Sequence, residues 1–132
     1  MRRTSSNRAA LLAEVAPART AFALEFPDCW NCGSRWRRTF PQVLDTHEMV
    51  RGVDRHKALR NRSTWIRVCR TCHDIVASWP LARQLALKRI HDPDHYDRVE
   101  VNRLRGRADN AVTEEEVLGH LRESKWNADS GS

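Results

Sequence analysis

Two cysteine pairs, Cys29-Trp-Asn-Cys32 and Cys69-Arg-Thr-Cys72, bracket residues 33–68, and within that bracket lies the run Asp45-Thr46-His47-Glu48. His73 follows the second pair at once. Each Cys-x-x-Cys spans one tight turn and offers two sulfurs, so four thiolates can close a single tetrahedral zinc site at about 2.3 Å per bond. A zinc closed by four sulfurs has no open position for water and is structural. The acid–base capacity of the central stretch therefore rests on His47, with an unperturbed pKa near 6.5, and on the carboxylates beside it.

The elements that must position these residues can be read on either side of them. Residues 1–22 form a basic N-terminal arm with a short apolar pattern at Ala9, Leu11, Leu12 and Val15, and Pro17 is expected to limit any helix there. Residues 23–92 are the zinc-framed core. Asn31 and Gly33 suit a tight knuckle, Thr39–Met49 reads as a strand leading into His47, and Gly52 permits a turn. Thr64–Val68 reads as a second strand, rich in β-branched and aromatic residues. Beyond it the period becomes helical, through Cys72, Ile75, Val76 and Trp79 and then, past Pro80, through Leu81, Leu85 and Ile90. Residues 93–125 are a helical extension: Asp94 is placed to cap a helix over 95–105 closed by Gly106, and Thr113-Glu114-Glu115-Glu116 is a capping box stapled by Val112 and Val117. Residues 126–132 are a disordered tail. The class is α+β.

Charge is distributed unevenly. The net charge is +6 with a sequence pI near 9.8. Between Arg51 and Arg70 stand Arg51, Arg55, Lys57, Arg60, Arg62, Arg67 and Arg70 against the single acid Asp54, whereas residues 109–132 are acidic. Arginine offers a planar fork of donors matched to phosphate oxygens, so this stretch points to DNA, with Arg51, Arg55, Lys57, Arg60, Arg62 and Arg67 as candidate contacts. Trp30 and Trp36, near the first knuckle, are candidates for stacking on bases.

Two disulfides are the alternative use of the cysteines, but the N-terminus Met1–Ser6 lacks the apolar run of a secretion signal. No segment approaches the roughly 20 apolar residues that span a bilayer. The expectation is a soluble protein of a reducing compartment.

The order knuckle, strand, His47, loop, strand, knuckle, His73, helix resembles the HNH endonuclease family, in particular the small HNH proteins of phages and their bacterial hosts. The resemblance covers Cys29 to about Trp79 and rests on Cys29-x-x-Cys32, Leu44-Asp45-Thr46-His47-Glu48-Met49 and Val68-Cys69-Arg70-Thr71-Cys72-His73. It implies a ββα-metal core stapled by structural zinc on Cys29, Cys32, Cys69 and Cys72. It further implies hydrolysis of DNA phosphodiesters with His47 as general base. A second divalent ion, magnesium, manganese or another, would be held by His73 and by Asp45 or Glu48. The family's usual dipeptide is Asp-His or His-His, and here His47 stands between Thr46 and Glu48, so a second register is open in which His47 binds the ion and Glu48 is the base. Thr64 stands where the family carries an asparagine, and Asn61 is offset from it. His73 has two further readings, as a replacement for one cysteine at the zinc or as a helix cap. The implied setting is the cytoplasm of a bacterial or phage-infected cell, alongside phage or host DNA-processing proteins. The competing reading is a catalytically silent zinc module that binds DNA or docks on a phage or replication assembly.

DNA affinity is expected to fall steeply with salt. Each duplex phosphate neutralised contributes a slope of about −0.9 in log K against log salt, measurable by titrating one DNA fragment at several salt concentrations. A flat dependence would reduce the arginine run to a solvated surface.

Overall fold

Leu11, Val15, Arg19, Phe22 and Phe26 recur every three or four residues, and this spacing lays one side of a long helix against the rest of the chain. The computed structural model describes residues 2–33, 44–50, 58–106 and 111–123. Helix α1 runs over Arg2–Glu25 and continues through Pro17. A mid-helix proline removes one hydrogen bond at a cost of about 3 kcal/mol. Here both halves are anchored: Leu11 and Val15 pack with Leu59, and Phe22 is fully buried in the main core. Docking on both sides of Pro17 overrides the local stop that the sequence suggests.

Strands β1 (Leu44–Glu48) and β2 (Trp65–Cys69) form an antiparallel pair. The register sets Leu44 opposite Cys69, Asp45 opposite Val68, Thr46 opposite Arg67, His47 opposite Ile66 and Glu48 opposite Trp65. Since side chains alternate along a strand, Asp45 and His47 share one face, while Thr46 and Glu48 share the other. Trp65 and Ile66 are both buried, because α1 covers one face and helices cover the other. Helix α2 (Arg70–Ala77) starts without a connecting loop, and α3 (Leu81–His91) follows a short turn.

Helix α4 covers Arg98–Arg105 and α5 covers Glu114–Glu123. The start of α4 differs from the sequence expectation. Its cap is Asp97, whose carboxylate accepts from the Glu100 amide, while Pro93–His95 form a separate 3₁₀ turn ahead of it. The end is as expected: Gly106 adopts the left-handed conformation at φ 67°. The capping box of α5 is formed, with Glu116 N donating to Thr113 Oγ1 at 3.2 Å and Thr113 N donating to Glu116 Oε1 at 3.2 Å. Val112 and Val117 are both buried beside it.

One core joins these regions, taking Phe22 from α1, Trp30 from the first knuckle, Trp65 and Ile66 from β2, Leu85 from α3, and Val101 and Val117 from the extension. Within it lies a charged hub. Lys88, with no exposure, donates to Arg62 O at 2.7 Å, Trp65 O at 2.9 Å and Asp92 Oδ2 at 2.8 Å. Arg62 donates to both Asp92 oxygens and to Glu25. Burial lowers the Lys88 ammonium to about 8 against the opposing pull of Asp92. For Asp92 burial works upward, but the hydrogen bonds from Arg62, Lys88 and His95 outweigh it and bring the carboxyl down to about 2.

Removing one member of a buried charge network leaves the others uncompensated. Asp92→Ala is therefore expected to lower stability by about 3–5 kcal/mol in urea unfolding near neutral pH. Because the folded-state pKa of Asp92 is depressed, its contribution is complete above the unfolded value of about 4 and is lost as pH falls towards about 2. An acid limb of the unfolding profile that is the same in Asp92→Asn as in the parent would contradict this.

Candidate metal centre and histidine pair

The first cysteine knuckle is closed by Gly33, whose amide donates to Cys29 O at 2.9 Å at φ 78°, a backbone conformation that disfavours a side chain. Trp30 N donates to Arg67 O at 2.9 Å and pins this knuckle to β2. The second knuckle is the β2–α2 junction itself, where Cys69 caps α2 and its sulfur accepts from Cys72 N at 3.4 Å. Cys32 N approaches Cys29 Sγ at 3.5 Å in the same way, and Asn31 Nδ2 crosses to Cys72 Sγ at 3.4 Å. No disulfide joins the four cysteines, and their sulfurs lie within 4.8 Å of one another.

Cys32 Sγ stands 3.8 Å from Cys69 Sγ. Two sulfurs at about 2.3 Å from one tetrahedral zinc stand about 3.8 Å apart, so the cluster fits a closed four-sulfur metal site. Burial pushes the Cys29 thiol up and the Cys72 thiol to about 12. A dication offsets the repulsion of gathered thiolates, which is the chemical reason such a cluster takes a metal ion such as zinc.

His73 follows Cys72 on α2 and turns towards the face of β1 that carries Asp45 and His47. Its Nδ1 lies 3.1 Å from Asp45 Oδ2, and its Nε2 lies 3.2 Å from His47 Nδ1. His47 is buried, and its Nε2 lies 2.9 Å from Gln84 Oε1 on α3. Gln84 Nε2 donates to Trp79 O at 3.0 Å, which fixes the amide orientation and makes Oε1 the atom facing His47. An amide oxygen only accepts, so the His47 ring carries a proton on Nε2 and turns Nδ1 to His73. Asp45 also accepts from Arg70 Nη2 at 3.2 Å. Burial works upward on Asp45, but the hydrogen bonds from Arg70 and His73 hold its carboxyl below the usual range.

The remaining candidates are placed as follows. Glu48 lies on the opposite face of the strand, 3.6 Å from Arg19, and is not brought to the histidines. Asp45 reaches His73 through its ring nitrogen and so stands behind that imidazole. Arg62 is taken up by Asp92 and Glu25, and Arg67 by Phe26 O at 3.2 Å and Thr46 Oγ1 at 3.3 Å. Burial lowers the Arg67 guanidinium. Arg60 is exposed and pairs with Glu14 at 2.7 Å. Arg51, Arg55, Lys57 and Trp36 lie outside the described residues, as does the expected tail over 126–132. Trp30 is buried in the aromatic cluster and stacked by His91 at 5.1 Å, so it is a core residue. Thr64 bonds to Ala58 O and Asn61 O, and Asn61 caps the 3₁₀ turn over Arg62–Thr64; both close the approach to β2. Gln84 was not singled out by sequence. Its signal is a polar residue inside the apolar stripe of Leu81 and Leu85.

No protein-family model, curated protein or solved structure matches the chain. Among the described residues, no helix is long and apolar enough to cross a membrane.

Metal analysis of the purified protein is expected to give close to one tightly held zinc per chain. Cys69→Ser, which removes both a ligand and the cap of α2, is expected to lose the zinc and unfold the central region, seen as loss of thermal cooperativity. Two disulfides found by mass spectrometry, or an ordered protein with no metal, would overturn the assignment.

Proposed function

We propose that the chain is a metal-dependent HNH-type endonuclease that hydrolyses DNA phosphodiester bonds, with structural zinc on the four cysteines and a second divalent ion at the histidine pair. The observation that carries this reading is the 3.2 Å separation of His47 Nδ1 and His73 Nε2. Two imidazoles on one divalent ion, each at about 2.0–2.1 Å, place their nitrogens about 3 Å apart. Proton counting supports it too. Asp45 Oδ2 and Gln84 Oε1 are acceptors at the two ends of the row, so three hydrogen bonds would need three protons on two rings, and two neutral imidazoles carry two. A cation between the rings takes the place of the central proton.

When bound, a divalent ion there would stabilise charge on phosphate oxygens and lower the pKa of water. The chain's own groups orient the pair: Asp45 behind His73 and Gln84 behind His47 each fix a tautomer, as carboxylates and amides do behind metal-binding histidines. His47 Nδ1 has two uses. As general base it accepts the proton of the attacking water, and its ring must first draw back from His73 to admit that water. As a ligand it would share the ion with His73 Nε2. A second reading, a silent zinc module that binds DNA, is favoured by Glu48, which faces Arg19 and leaves the pair without a carboxylate ligand beside His47.

The test is nicking of supercoiled plasmid with added manganese or magnesium. His47→Ala is expected to lose about 10²–10⁴-fold in rate while keeping its zinc and its DNA affinity. An unchanged metal requirement in residual His47→Ala activity marks His47 as base, and a raised one marks it as ligand. His73→Ala is expected to raise the requirement in either case. A parent that fails to cut with every divalent ion supplied sinks the nuclease reading and leaves the silent module.

A further inference from the structure

Next to His47, a cavity of about 280 Å³ is lined by His47, Met49, Trp79, Leu81, Gln84 and Arg105, with Ala77 completing its wall. Its walls come from the end of β1, the end of α2, the start of α3 and the last residue of α4. Arg105 thus brings the helical extension to the site, a role that the sequence reading did not give it. Among the described residues, the lining holds a guanidinium, an amide and an imidazole and no carboxylate. A second guanidinium, that of Arg83, lies 4.2 Å from the centre of the Trp79 ring at the cavity wall. Such a lining favours an anionic, hydrogen-bonding occupant. The volume is at the small end for ligand sites, suited to one nucleotide and far too small for a duplex.

We propose that this cavity receives one nucleotide of the substrate strand, out of the duplex stack and adjacent to the bond that is cut, with Arg105 holding its phosphate. The adjacency to the cut rests on the nuclease reading; the binding of the nucleotide does not. Gln84 serves both sides, holding His47 through Oε1 while facing the cavity. The site then selects single strands, strand ends or a displaced nucleotide, since a base must leave its stack to enter.

The test uses the zinc-loaded protein with free divalent ion chelated, so that binding is read without cleavage. The probe is a short fluorescent single-stranded oligonucleotide followed by polarisation. Arg105→Ala is expected to weaken binding about 10-fold and to flatten the salt dependence by about 0.7 in slope, one single-strand phosphate. Arg105→Lys should keep the slope and lose part of the affinity, because it keeps the charge without the fork. Ala77→Leu, which fills the cavity and leaves every charge in place, should weaken binding comparably, and Arg122→Ala on α5 should not. Zinc content and melting temperature of each variant report on folding, and Arg105→Lys and Ala77→Leu decide the matter if Arg105→Ala fails to fold. Unchanged oligonucleotide affinity in both Arg105→Lys and Ala77→Leu, or no binding by the parent, overturns the proposal. Binding that depends on Arg105 in a parent that never cuts supports the nucleotide site and removes only the nuclease reading.

Discussion

Gathering four sulfurs within 4.8 Å of one another is the constraint on which the rest of this structure depends. Two of the sulfurs sit on the loop after α1 and two at the β2–α2 junction, so closing the cluster ties the N-terminal helix to the only described sheet. Thiolates gathered and buried in this way are disfavoured, and burial accordingly raises the Cys29 and Cys72 thiols. A metal ion held by the four sulfurs would turn that conflict into a staple. The staple also sets the direction of α2, because Cys69 caps it, and His73 then emerges one residue past the last sulfur. The position of His73 is in this sense a consequence of where the second cysteine pair is placed.

The arginines divide by burial. A run of like charge in sequence suggests one electropositive face, yet Arg62 and Arg67 point inward and bind carboxylates, carbonyls and a hydroxyl of the protein itself. Arg62 joins Lys88 and Asp92 in a hub whose members offset one another's desolvation. Single positive charges in that interior would be costly; paired with Asp92 they hold the end of α1, the start of β2 and the end of α3 in one place. Among the described residues of the run, Arg62 and Arg67 are thus engaged by the protein itself. Arg60 and Arg70 are exposed, yet each also pairs with a carboxylate, that of Glu14 and that of Asp45.

Around the histidine pair the fold supplies orientation more than charge. His47 is buried and can neither turn nor change tautomer without breaking its contact with Gln84, which is itself held by Trp79 O. On the other side Asp45 holds His73 and is held by Arg70. Two nitrogens are thus aimed at one point from two elements, by neighbours that come from a strand and a second helix.

The sequence alone determined the features that depend on local spacing. The sulfur pairs, the capping box of α5, the glycine stop after α4 and the alternation that puts Asp45 and His47 on one strand face are set by residues within a few positions of each other, so the chain can be read for them directly. Tertiary structure decided what depends on contact at long range. Pro17 stays inside α1 because Leu11, Val15 and Phe22 are docked on both sides of it, and no local rule contains that docking. The cap of α4 shifts to Asp97 because the preceding turn is closed against the Asp92 hub through His95. Glu48 and Thr46 left the site because the pairing register turned them towards α1 and Arg67. Gln84 entered it from 37 residues away in the chain, since only the packing of α3 on the sheet brings its amide to the imidazole of His47.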